Sequence, residues 1–263
     1  TGKYPAIMGF DLMDYSPSRV KYGAKTKQIN YALDWGEKGG IVTLIWHWNA
    51  PKDLVNTKSI PWWKGFYTEG TTFNLDDALN GKDPEGYELI LRDIDAIAKK
   101  IKLLADQDIP VLWRPLHEAN GGWFWWGKDA DSCKKLWIAM FDYFKSQGVN
   151  NLIWVWTSES EDSSWYPGDE YVDIIGRDLY SKNTSDCVSI YQSEFARYGH
   201  KVIALSECGT VGLLSEQWSA GARWAWFMPW YGKADSGSKH ATDEWWKDTM
   251  KQTYVITRDQ VPS

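Results

Sequence analysis

The chain is short of several things that would define common functional classes. It has only three cysteines (Cys133, Cys187 and Cys208) in 263 residues. Their spacing matches neither a zinc site nor a disulfide framework, so buried free thiols are expected. No stretch approaches the roughly 18 consecutive apolar residues of a membrane-crossing helix. Positive charge is also scarce: 29 lysines and arginines face 35 aspartates and glutamates, for a net charge of −6. With no basic run to offset that balance, a polyanionic partner such as nucleic acid is excluded. A GxSxG elbow, a GxxxxGK phosphate loop and a GxGxxG turn after a strand are all missing. Serine-hydrolase, phosphate-loop and dinucleotide-binding chemistry therefore have no support. The sequence begins at Thr1 without a methionine or a secretory leader, and a processed or trimmed chain is expected.

Tryptophan, by contrast, is abundant, with 19 residues, and aromatic residues make up 16% of the chain. A core is more easily built from leucine and isoleucine. A surplus this large suggests rings that stack on the C–H faces of sugars, with N–H and O–H groups that meet hydroxyls. A neutral polymer fits the charge balance better than a charged one.

Short apolar runs alternate with helical patterns. Strands are expected at 5–13, 41–48, 109–116, 151–157, 172–180, 201–207 and 222–230. Helices are expected near 24–38, 86–107, 131–147, 184–197 and 242–252. In the second of these, Leu89, Ile90, Ile94, Ile97, Ile101 and Leu104 share one face. The strands are almost continuously apolar, the mark of parallel strands covered on both sides. Repeated βα units over this length point to an α/β fold of the (β/α)8 TIM-barrel class. The domain is read as one catalytic barrel over 1–263. Seven strands are found where eight are needed, so a strand–helix unit preceding Thr1 is expected. The connection 49–85 is far longer than usual and carries Trp62 and Trp63, which makes it a functional candidate.

Active sites of such barrels lie where strands end. The expected strand ends carry Asp11, His47, His117–Glu118, Asp178 with Tyr180, Glu207, and Trp230–Tyr231. A pair of glutamates, Glu118 and Glu207, is the machinery of glycoside hydrolysis, in which one carboxyl protonates the leaving oxygen and the other attacks. A single strand-end glutamate more often caps a helix. Arg114 beside Glu207 would hold that carboxyl ionised. His47 and His117 lack the partners of a zinc site, so no metal and no cofactor are expected and hydrogen bonding is the better use of the two rings. His200 and His240 have no context and are expected to be solvated.

The stretch "WRPLHEANGGWFWWG" (113–127) resembles the acid/base signature of glycoside hydrolase family 26, best known for β-mannanases. The likeness extends to "GGIVTLIWHWN", "IIGRDLY", "VIALSECG", "WAWFMPWYG" and "YVITRDQVP". It implies Glu118 as acid/base and Glu207 as nucleophile of a retaining enzyme, with carboxyls about 5–5.5 Å apart. It further implies that His117 orients the nucleophile region, and that His47, Trp123, Asp178, Tyr180 and Trp230 shape the site of the cleaved sugar. Tyr180 would donate to the nucleophile, and Trp230 would underlie the sugar. The implied activity is an endo-acting β-1,4-mannanase on mannan or manno-oligosaccharides. The alternatives are mixed-linked glucanase, β-1,3-xylanase or exo-acting mannobiohydrolase activity, and, more remotely, non-catalytic carbohydrate binding. A monomer is expected, with an N-terminal segment or appended modules beyond these residues, placed extracellularly or in the periplasm because a polymer cannot enter cells.

Overall fold

The computed structural model describes residues 1–231 and 240–262. The chain forms two compact units. The larger comprises Ile7–Val155 and Glu159–Val172. The smaller comprises Thr1–Ala6, Trp156–Ser158 and Asp173–Ser263.

In the larger unit, β1 (Ile7–Asp11), β2 (Ile41–Ile45), β3 (Val111–Arg114) and the part of β4 (Leu152–Ser158) up to Val155 pair in that order, all parallel. Successive residues Val42, Thr43, Leu44 and Ile45 are all buried, so both faces of β2 are covered. That explains an unbroken apolar run where an alternating one would leave one face in water. Helices α1 (Pro17–Lys21), α2 (Gln28–Glu37), α3 (Leu75–Leu79), α4 (Pro84–Ala105) and α5 (Ala130–Ser146) connect the strands. The start of α4 is written locally: Asp83 accepts from the Gly86 N–H at 3.0 Å and Pro84 occupies the first turn. Its buried stripe is Ile90, Ile94, Ile97, Ile101 and Leu104, as expected, with Leu89 half-buried beside it.

The smaller unit holds β5 (Ile174–Lys182), β6 (Val202–Val211) and β7 (Phe227–Pro229), again parallel and in order, with α6 (Thr184–Tyr198), α7 (Leu214–Ser219) and α8 (Asp243–Thr249). Pairing slips by one residue in β6. Gly176 faces Ala204 but Asp178 faces Glu207, and Leu205 faces Phe227 but Cys208 faces Pro229. Both neighbours therefore see an extra residue in β6 just before or at Glu207, a bulge.

Several boundaries differ from the sequence expectation. Helix 24–38 starts only at Gln28, and the short α1 and α7 carry too few turns to show a period. The run 222–230 is strand only at Phe227–Pro229. The connection 49–85 is ordered by its own contacts: α3, two 3-10 turns, and a bridge between Leu54 and Thr71.

The tryptophan surplus is mostly core. Eleven of the 19 are buried and only Trp63 and Trp123 are strongly exposed, which corrects the expectation that the surplus is mainly for ligand. Buried indoles need acceptors, and these tie elements together. Trp46 and Trp48 stack at 4.1 Å; Trp46 donates to Ser16, Trp48 donates to Asp93 on α4, and Trp125 donates to the Trp48 carbonyl.

Asp93 has no exposure, and burial outweighs its bonds from Trp48 and Arg92, raising its pKa from 3.8 to about 6. The folded state therefore holds this proton more tightly than the unfolded chain does. Stability falls as pH rises from about 4 to about 6, and the cost then stays near 3 kcal/mol. Asp93→Asn keeps an acceptor for Trp48 but carries no charge. It is expected to flatten that decline in urea-unfolding free energies measured across the pH range; an unaltered slope would locate the effect elsewhere.

Candidate active site

In the larger unit, β3 ends at Arg114 and the chain then enters a strained turn. Leu116 (φ 48°) and Glu118 (φ 52°) are both left-handed although neither is glycine. Each such residue costs about 1 kcal/mol or more, and such strain concentrates at working sites. Glu118 is half-buried, and its Oε2 accepts from Trp123 Nε1 at 2.7 Å. The Trp123 indole is 45% exposed and lies against Gly121, where a Cβ would come within 2.3 Å of its ring. Phe124, Trp125 and Trp126 are buried behind it. The row of four aromatics thus divides into one presented ring and three packed ones.

His117 is 1% exposed, with Phe124, Trp126 and His47 around its ring. Burial first, then nearby His47 and Arg114, push its pKa well below 6.5, so it is a neutral ring at pH 7. His47 follows β2 and is held by Asp11 at the end of β1, Nδ1 to Oδ2 at 2.6 Å. Phe66 and Phe124 meet its ring edge-on. Phe66 comes from the long connection, which is joined to the aromatic row through its backbone: Thr68 N–H to the Trp123 carbonyl at 2.8 Å and Trp125 N–H to the Phe66 carbonyl at 3.3 Å. Trp62 stacks on Tyr22 at 5.1 Å under the Arg19 guanidinium, whereas Trp63 presents its ring to solvent.

In the smaller unit, Asp178 and Glu207 are register partners immediately after the bulge. Ser206 Oγ donates to Asp178 at 2.7 Å, and Tyr180 Oη donates to Glu207 at 2.5 Å. Glu207 is 5% exposed. Gly209 makes the tyrosine's position possible: a Cβ there would lie 2.6 Å from Tyr180 Cδ1 and 2.5 Å from His240 Nδ1. Trp230, after β7, is half-buried and its N–H donates to the Cys208 carbonyl at 2.8 Å. All three cysteines are free and buried, as expected, and burial holds the Cys208 thiol well above its usual 9.0. Beside Glu207 it is an inert thiol.

The structure therefore brings Glu118, Trp123, His47 and His117 together in the larger unit, and Asp178, Tyr180 and Glu207 in the smaller, with Trp230 following β7. Two expectations need correction. Neither Asp178 with Tyr180 nor Glu207 ends its strand, because β5 runs on to Lys182 and β6 to Val211. His240 is not a bystander in water: its ring meets Tyr180 edge-on at 5.4 Å. Ser206, Gly209 and Phe66 were not foreseen. The "SECG" spelling around Glu207 held a signal for the first two, since a hydroxyl and a bare Cα flank a buried carboxylate.

In each unit taken by itself a carboxylate is oriented by a ring-borne donor, Glu118 by the Trp123 indole and Glu207 by the Tyr180 hydroxyl, the pattern of a carbohydrate-active enzyme. The chain belongs to glycosyl hydrolase family 26, whose model matches residues 1–260. It is 44% identical over 99% of its length to a mannan endo-1,4-beta-mannosidase of Thermothelomyces thermophilus, covering 54% of that protein. It is 33% identical over its whole length to mannan endo-1,4-beta-mannosidase B of a Piromyces species, covering 45% of it. The chain thus spans about half the length of these curated relatives. The crystal structure of the Podospora anserina β-(1,4)-mannanase superposes with a TM-score of 0.93 at 40% identity, over 100% of this chain and 60% of that one. The fold is accordingly of the TIM-barrel-like family 26 type, as the strand pattern implied.

Tyr180→Phe removes one hydroxyl and little else. If Glu207 is the nucleophile the resemblance implies, kcat is expected to fall roughly 10- to 1000-fold, in the range of losing one charge-assisted bond at a reacting carboxylate, with an unchanged circular dichroism spectrum. Steady-state kinetics on manno-oligosaccharides check this, and a near-normal kcat contradicts the role of that bond.

Proposed function

We propose that this chain is an endo-acting, retaining β-1,4-mannanase that hydrolyses mannan-type polysaccharides by double displacement. The observation that carries the reading is the Tyr180 hydroxyl donated to Glu207, which favours an ionised carboxylate on a buried strand. The names of the relatives, each a mannan-cleaving enzyme, support mannan as substrate.

In this reading Glu207 attacks the anomeric carbon while Glu118 gives its proton to the departing glycosidic oxygen. Glu118 then takes a proton from water, and that water releases the sugar from Glu207. Two inversions return the original β configuration. Trp123 has two duties: its N–H orients Glu118 and its exposed face receives a sugar ring. Asp178 and His47 meet sugar hydroxyls, and Trp230 underlies the cleaved sugar. Arg114 and the neutral His117 set the polarity around the nucleophile. The enzyme works outside the cytoplasm as a monomer, where its polymeric substrate is found.

Glu207→Ala is expected to abolish turnover of mannohexaose while manno-oligosaccharide binding persists by calorimetry. The wild type should release mixed short products, with the β-anomer appearing first by proton NMR. Mannobiose alone would replace endo with exo action, and an initial α-anomer would overturn retention. Reducing-end release from mannan, lichenan and β-1,3-xylan side by side tests the substrate: faster release from either of the last two would displace mannan.

A further inference from the structure

Tyr180 on β5 and Gly209 on β6 are register partners. The residues that follow them, Ser181 and Thr210, both have φ 53°. A left-handed backbone is uncommon for serine and a genuine outlier for a β-branched threonine, and it persists only where the surroundings hold it. At Thr210 one such contact is plain: its backbone N–H is donated to the His240 carbonyl at 2.7 Å. The chain at His240 is thereby fastened to β6 one residue beyond Gly209. There the half-buried imidazole meets the Tyr180 ring edge-on, at 5.4 Å and 77°.

Gly209 is the seat that the two rings share. A Cβ there would lie 2.5 Å from His240 Nδ1, and 2.6 and 2.7 Å from Tyr180 Cδ1 and Cε1. A glycine inside a strand marks such a close approach. We propose that His240 is a positioning residue whose ring backs Tyr180, so that the Tyr180 hydroxyl stays on Glu207. The proposal rests on the reading above that Glu207 is the nucleophile. It extends the support of that carboxylate from β5 and β6 to the chain ahead of α8.

A plain anchor for that chain needs only the backbone bond, which any residue at 240 supplies. Positioning needs the ring. His240→Ala keeps the carbonyl and removes the ring, so it separates the two roles. His240→Phe supplies a ring without the imidazole nitrogens, so it separates backing of Tyr180 from a polar contact with sugar.

On mannohexaose, His240→Ala should lower kcat roughly 5- to 10-fold, within the worth of one edge-to-face ring pair. KM should stay within about twofold, because a backing ring acts on the tyrosine and not on sugar binding. His240→Phe should return kcat to within about twofold of the wild type. In a Tyr180→Phe background, where there is no hydroxyl to hold, His240→Ala should matter less than about twofold. Proton NMR reads the same contact without substrate. The Tyr180 hydroxyl proton, assigned by its absence from Tyr180→Phe, should be sharp in the wild type and broadened in His240→Ala, because a loosened ring lets it exchange with water. A full kinetic loss in the Tyr180→Phe background, a phenylalanine no better than alanine, or the same hydroxyl signal in the wild type and His240→Ala would overturn the proposal. If the wild type hydrolyses no mannan, the functional reading falls, yet the hydroxyl signals still decide whether His240 holds Tyr180.

Discussion

An ionised carboxylate taken out of water has to be met by donors, and much of this structure follows from where those donors come from. Asp11 takes its donors from two segments, Met13 and His47. Asp93 on α4 takes one from Trp48, beyond β2. Asp178 on β5 takes one from Ser206 on β6, and Glu207 on β6 takes one from Tyr180 on β5. Removing any one partner strands a buried polar group at about 1–3 kcal/mol, more where the group is charged. The same bonds that fasten strands to loops also fix how each acid presents itself. Stability and chemistry are thereby drawn from one set of contacts.

The tryptophans extend this arrangement. An indole is a large apolar plate with one directed N–H, so a buried tryptophan fills volume and also selects an acceptor. Trp125 N–H reaches the Trp48 carbonyl, and Trp126 N–H reaches the His117 carbonyl. Leucine would fill similar space without specifying either backbone path. The segments next to His47 and Glu118 are irregular, with no strand ladder of their own. Indole bonds stand in for the missing ladder.

Much of this was legible in the sequence. Seven apolar runs gave seven parallel strands, because burial on both faces leaves an unbroken apolar spelling. The α4 stripe was equally plain, although the helix starts at Pro84, two residues before the expected 86. The candidate site residues were read from polar groups that interrupt or follow apolar runs. Three things were hidden. The β6 bulge adds no unusual residue, since a strand that is apolar on both faces has no alternation to break. The left-handed φ of Glu118 cannot be seen in a glutamate. The place of His240 depends on Gly209 and Tyr180, both distant in sequence, and no local pattern announces it. The division of Trp123 from Phe124, Trp125 and Trp126 likewise depends on what packs behind them. The tryptophan count was over-read toward ligand, since the core uses most of them.

The connection 49–85 is joined to the aromatic row by main-chain groups: the Thr68 and Trp125 amides, the Trp123 and Phe66 carbonyls, and the bridge of Tyr67 with Phe124. Such bonds are indifferent to side-chain identity. Exposed positions on this segment, Trp63 and Tyr67 among them, can be exchanged without unseating it. The segment is thus a replaceable face on a main-chain mount, so its exposed side chains can change while the backbone path that seats it, and the groups packed beneath, stay where they are.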